Sequence, residues 1–159
     1  MVYRNGFKEY ALSGGIYGLL MGICFGLMHR SVITGVITGV LCGALFAFFI
    51  FLFCRHQEKK FDKKREEIAK ERTIFCDGGA TLNGNGGWLF FTTQGLEFYP
   101  HKVNISTDVI IVPLQSIKGV KTVKNQIAIM GADGSSFAIV VSHNKEWKKE
   151  IESRIGYER

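Results

Sequence analysis

The residues that could do chemistry are few and scattered. His29, His56, His101 and His143 share no metal-ligand spacing with a cysteine, aspartate or glutamate. Cys24, Cys42, Cys54 and Cys76 form no CxxC pair, and three of them lie in or at the end of apolar runs. That pattern predicts free thiols in a reducing setting. No nucleophile elbow, phosphate loop or zinc-protease helix occurs. Gly84-Asn85-Gly86-Gly87 is glycine-rich, but no Lys-Ser or Lys-Thr follows it and it opens no helix. Asp77, Asp108 and Asp133 are expected at turns, where aspartate bonds its own backbone. His101 reads as a structural residue at a strand end. The sequence therefore predicts no enzyme, no cofactor and no metal.

Charge is the remaining chemistry. The net charge is +6. Residues 1–54 hold Arg4, Lys8 and Arg30 against Glu9, whereas residues 73–159 are nearly balanced. The excess peaks at residues 55–72, in the cluster Arg55, Lys59, Lys60, Lys63 and Lys64. A basic segment directly after an apolar run suits anionic lipid headgroups better than nucleic acid. A solvated spacer is the alternative. A second set comprises Lys102, Lys118, Lys121 and Lys124, at the ends or along predicted strands. Lys118 and Lys124 share strand parity and Lys121 opposes them. Lysines that guard an exposed edge strand are one reading of this set.

The basic cluster is placed by what precedes it. Ala11 to Met28 and Val32 to Cys54 carry no charge, and only His29-Arg30-Ser31 separates them. Each run is near the ~20 residues a helix needs to cross ~30 Å of hydrocarbon. The expectation is a transmembrane hairpin over 10–54, with spans at about 10–28 and 32–54. A cleaved signal peptide competes for the first run, but no clean cleavage site ends it and a second run follows at once. Residues 1–9 are expected as a cytoplasmic lead-in, with Tyr3, Phe7 and Tyr10 at headgroup level. Lysine and arginine flank both outer ends, which predicts both termini and the C-terminal domain on the cytoplasmic side. No acid or base lies within a span, so a pump or transporter is not expected.

Both spans carry a small residue every four positions. Gly14, Gly18, Gly22 and Gly26 mark the first, and Gly35, Gly39, Gly43 and Ala47 the second. Residues four apart share a helix face, and small-residue faces let backbones approach closely in lipid. Three outcomes stay open: stripe on stripe within the hairpin, a homo-oligomer interface, or the glycine content common to membrane helices.

Residues 55–72 (RHQEKKFDKKREEIAKER) have strong helix propensity, and Phe61 and Ile68 make only a thin apolar stripe. A helical linker is expected. From Thr73 the pattern turns to short strands, at about 73–77, 87–92, 95–101, 109–113, 116–123, 126–131 and 135–141. A helix follows with Trp147, Ile151 and Ile155 on one face. The fold class is α+β: a two-helix hairpin plus a small seven-stranded barrel or sandwich capped by a C-terminal helix.

Gly87-Trp88-Leu89-Phe90-Phe91-Thr92-Thr93-Gln94-Gly95-Leu96-Glu97-Phe98-Tyr99-Pro100-His101-Lys102 resembles the hairpin signature of the GRAM family. Ile111-Val112-Pro113-Leu114, Asn125 to Ile129, Gly134 to Val140 and Trp147 are similar to its later elements. The resemblance covers about residues 73–157 and implies a pleckstrin-homology-like barrel. The chain departs from the family pattern at Gln94-Gly95-Leu96, where a basic residue is frequent. The resemblance also implies a role for Lys102, Lys118, Lys121 and Lys124 at a lipid headgroup or membrane surface. The chain is thus expected to be a membrane-anchored, non-enzymatic adaptor whose partners are the membrane, anionic lipid headgroups or a protein. The alternative is a glycine-stripe oligomer, either a scaffold or a small pore.

Overall fold

The computed structural model describes residues 1–4, 6–104 and 106–155. The chain divides into two compact units, Asn5–Lys60 and Met1–Arg4 with Phe61–Arg159.

The first unit is a helical hairpin. Helix α1 (Phe7–Met28) and helix α2 (Val32–Glu71) are joined by a tight reversal, in which the Ser31 N–H bonds the Gly26 carbonyl at 3.0 Å. Arg30 takes the left-handed conformation, φ 50°, needed to turn the chain. The Ser31 hydroxyl then accepts from the Thr34 N–H at 3.3 Å, capping the start of α2. Both helices are long and apolar enough to cross a membrane. Their outward residues, including Leu12, Leu27, Ile33, Val40 and Phe49, are more than half exposed.

The second unit is the expected α+β module. Its strands are β1 (Val2–Tyr3), β2 (Ile74–Leu82), β3 (Asn85–Thr92), β4 (Gly95–Pro100), β5 (Ile110–Pro113), β6 (Ile117–Val123), β7 (Gln126–Gly131) and β8 (Ser136–Val141). The sheet order is β5-β4-β3-β2-β8-β7-β6, with every pair antiparallel except β1 beside β2. Helix α3 (Asn144–Ile155) closes it, burying Trp147 and Ile151 completely against the inner face. The core is the alternating set that faces α3: Leu82, Leu89, Phe91, Leu96, Phe98, Val120, Ile127, Ile129 and Ile139.

Two features differ from the sequence reading. Tyr3 is not a headgroup-level residue. It is 5% exposed, paired with Gly78 and packed on Trp147 and His143 at 5.6 and 5.5 Å between rings. The reason is a gap in the sheet: β8 pairs only Ala80–Leu82 of β2, and β1 fills the vacant edge at Asp77–Gly78. Gly78 permits this, because a Cβ there would stand 2.7 Å from the Tyr3 carbonyl oxygen. The second difference is Asp77. It lies inside β2, 1% exposed, rather than at a turn.

Candidate interaction surface

The sheet's outer face is where polar and charged side chains are held in defined positions. On its β2–β3–β4 half, Asp77, Trp88, Phe90, Thr92, Glu97 and Tyr99 point away from the core. The last turns of α2 cover them. Phe61 stacks on Trp88 at 5.4 Å, and Phe61, Ile68, Trp88 and Phe90 form a second apolar cluster. The positions in contact are Phe61, Arg65 and Ile68 of α2 and Arg72 directly after its last residue, spaced 4-3-4, with the Arg72 N–H still bonded to the Ile68 carbonyl, which places them on one face.

Two buried acids meet the two arginines. Arg72 lies 3.1 Å from Glu97 Oε1, and Glu97 is fully buried. The Thr92 hydroxyl donates to Oε1 and the Tyr99 hydroxyl to Oε2, each at 2.9 Å. Arg72 also donates to the Gln94 side chain. Arg65 lies 3.2 Å from Asp77 Oδ1, and Trp88 Nε1 donates to Oδ2 at 3.0 Å. Arg4 pairs with Asp62 at 2.5 Å, fastening the N-terminal residues to the same helix. Buried carboxylates persist where cations and donors compensate their lost hydration.

Burial sets the ionisation of this surface. It raises the Asp77 carboxyl above its ordinary value, against the opposing pull of the Trp88 hydrogen bond and Arg65. Tyr99 is pushed up to about 12, first by burial and then by its bond to Glu97. Burial likewise pushes the Cys76 thiol to about 12, which leaves it protonated and unsuited to nucleophilic chemistry.

The other predicted residues fall in separate places. Lys118 sits at a register shift in β6, Lys121 faces outward on β6, and Lys124 sits in the β6–β7 turn with φ 53°. Lys102 lies in the loop after β4, and four strands separate β4 from β6 in the sheet order. All four are exposed; Lys118 and Lys121 lie on β6, Lys124 in the turn after it, and Lys102 does not join them. In the basic cluster that follows the second apolar run, Arg55 lies 3.9 Å from Glu58, and Lys59 and Lys60 are exposed. Lys63 is exposed, whereas Lys64 is engaged by Glu67 at 2.9 Å and by the Tyr99 ring at 5.3 Å.

The small-residue stripes of the hairpin face one another. A Cβ on Gly14 would lie 2.6 Å from the Gly43 oxygen and 2.7 Å from the Ala47 methyl. One on Gly18 would lie 2.5 Å from the Gly39 oxygen, and one on Gly22 2.9 Å from the Gly35 oxygen. At Gly26 the nearest atom is the Gly35 Cα at 3.4 Å.

Sequence reasoning missed the docked helix face. The 4-3-4 spacing of Phe61, Arg65, Ile68 and Arg72 was its signal, because arginine stems count as apolar surface on such a face. The acids Asp77 and Glu97 sit at outward strand positions among aromatics, which was the matching signal.

No protein-family model and no curated protein sequence matches the chain. Among solved structures it is similar to the C-terminal domain of an unknown protein from Leishmania infantum. That match is 18% identical over 62% of this chain and 95% of that one, with a TM-score of 0.45. It is similar to the N-terminal PH domain of human ARAP2, 17% identical over 52% of this chain and 79% of that one, TM-score 0.40. The N-terminally truncated linker-DH/PH domains of p115-RhoGEF are similar over 87% of this chain and 55% of theirs at 10% identity, TM-score 0.47.

Proposed function

We propose that this chain is a membrane-anchored, non-enzymatic adaptor, in which residues 10–54 span the bilayer as a hairpin and the pleckstrin-homology-like module binds a lipid headgroup or a protein. The observation that carries this reading is the surface of the hairpin. Large aliphatic and aromatic side chains stand exposed along both helices: Leu19 at 65%, Val32 at 82% and Leu41 at 59%. Water disfavours such a surface and hydrocarbon accepts it. Arg30 is the one charged residue between Glu9 and Arg55. The same-side assignment draws further support from chain path, since the module gives up the chain at Arg4 and takes it back at Phe61. The basic residues at both outer ends put that side in the cytoplasm. The GRAM-like hairpin supports a headgroup or protein ligand over a purely structural role.

The oligomer reading is the weaker one. Gly14, Gly18, Gly22, Gly35, Gly39 and Gly43 already face the other helix of the same hairpin, so their stripes are not left for a second copy.

The test is insertion with topology. Exposed Thr93 and the turn residue Ser31 are each replaced by cysteine in a background without other cysteines. The protein should resist alkaline extraction from membranes. Ser31→Cys should react with an impermeant maleimide on intact cells, and Thr93→Cys only after permeabilisation. Release by alkali, or both sites reacting from one side, overturns the anchor.

A further inference from the structure

The outer surface of the sheet has a second half that no helix covers among the described residues. On β6, β7 and β8 the inward positions Val120, Ile127, Ile129 and Ile139 fill the core, so their neighbours face out. Pairing sets these outward residues in three cross-strand rows. Gly119, Met130 and Ser136 form the first. Lys121, Ala128 and Ala138 form the second, and Val123, Gln126 and Val140 the third. A sheet face in contact with water is ordinarily polar at such positions. Here six of the nine are apolar or glycine, none of the nine is classed as buried, and Val123 is 54% exposed.

We propose that this face docks an acidic amphipathic helix from a partner protein, which rests on the adaptor reading and names its partner class. Charge carries the choice of occupant. On the face itself Lys121 is the one charged residue, with Lys118 exposed at the bulge of the same strand and Lys124 exposed in the turn after it, against one acid from Ile117 to Val141, Asp133. Asp133 is turned onto its own loop, accepting from the Ser135 N–H and hydroxyl at 2.9 and 2.6 Å. None of the three lysines makes an ion pair among the described residues. A cover for this face must therefore bring carboxylates.

The helical form of the partner follows from the half already covered. There the same sheet presents Asp77 and Glu97 among aromatics, and a helix answers with Phe61, Ile68, Arg65 and Arg72. The open half presents the opposite charge around smaller residues. The central pair Ala128 and Ala138 lets a helix backbone come close. The apolar side chains lie on the flat of the pleat and not on a protruding loop, which suits a helix better than a headgroup layer.

The experiment uses the full chain in zwitterionic nanodiscs and, in parallel, in detergent micelles. The probe is a fluorescent synthetic helical peptide with leucine on one face and glutamate along its margins. Anisotropy should show binding, and Lys121→Glu and Ala138→Arg should each weaken it by about tenfold or more. The same peptide with lysine for glutamate should not bind. Both substitutions are at solvent-facing positions, where folding tolerates change. Absence of binding in micelles and discs, or binding indifferent to both variants, overturns the proposal. So does a face that serves another occupant. That outcome would appear as Lys121→Glu abolishing association with anionic vesicles while peptide binding is unchanged, or as Ala138→Arg dissolving a dimer of the chain itself. Because the micelle arm needs no bilayer, failure of the anchor and failure of the docking face are read separately.

Discussion

Helix α2 is packed by two different rules along its length. From Gly35 to Ala47 its neighbour is the backbone of α1, and the contact is made by the absence of side chains. From Phe61 to Arg72 its neighbour is the sheet, and the contact is made by its longest side chains. The membrane setting proposed for the first stretch accounts for the difference: in hydrocarbon burial of leucine gains nothing, so close backbone approach and dispersion would hold the helices together. Beside water, two apolar residues bury little area. Paired buried charges then fix which face is presented and in what register, since an unmatched charge there is costly.

That contrast can be broken from either end, and the sheet end should give the larger effect. Arg72→Ala would leave Glu97, fully buried, without its cation; loss of one partner of a buried pair costs about 3–5 kcal/mol. Urea unfolding of the full chain in micelles should show it. A change below about 1 kcal/mol would mean that Thr92 and Tyr99 suffice for Glu97.

At the other end, Gly18→Leu forces a side chain onto the Gly39 carbonyl. Overpacking of this kind costs about 1–3 kcal/mol. Disulfide crosslinking between cysteines placed on α1 and α2 should report a widened hairpin. Gly15→Leu is the matched control, because nothing lies within 4 Å of a Cβ there, and its crosslinking should stay unchanged.

Asp77 sharpens the charged side through pH. Its folded pKa is raised above the unfolded value, so the carboxyl takes up its proton earlier in the folded state. The stability it contributes is complete below the unfolded value and is lost as pH rises through the folded one. Relative to Asp77→Asn, the wild-type chain should therefore gain stability on acidification from neutral pH. Parallel melting curves for the two proteins across that range would show no contribution from Asp77. The smallest effect is expected from Lys64→Ala, which removes one surface pair with Glu67 and one contact over Tyr99. Such interactions are worth about 0.5–1 kcal/mol each at most, readable in the same unfolding assay.

The legible parts of this chain were those written in many residues at once. Two uncharged runs with a glycine every fourth position announce a helix pair. The alternation of residues 85–141 announces strands, so the α+β architecture followed from sequence. The illegible parts depended on single partners far away. Val2 and Tyr3 are too short a run to signal a strand, and their place exists only because β8 stops at Ala80 of β2. Asp77 has a turn-forming side chain, yet its position inside β2 is set by Trp88 and Arg65. Lys118, Lys121 and Lys124 were visible as a basic group. Lys118 falls at the register shift between Ile117 and Gly119 and Lys124 in the turn after β6, so parity along the strand does not reveal which way each faces.

Strand β1 has a consequence for the order in which the sheet can close. The Met1 nitrogen donates to the Phe75 carbonyl at 2.7 Å, across 74 positions of chain. Val2 and Tyr3 therefore reach their places beside Asp77 and Gly78 only after both apolar helices, which lie between them in the chain, have been made.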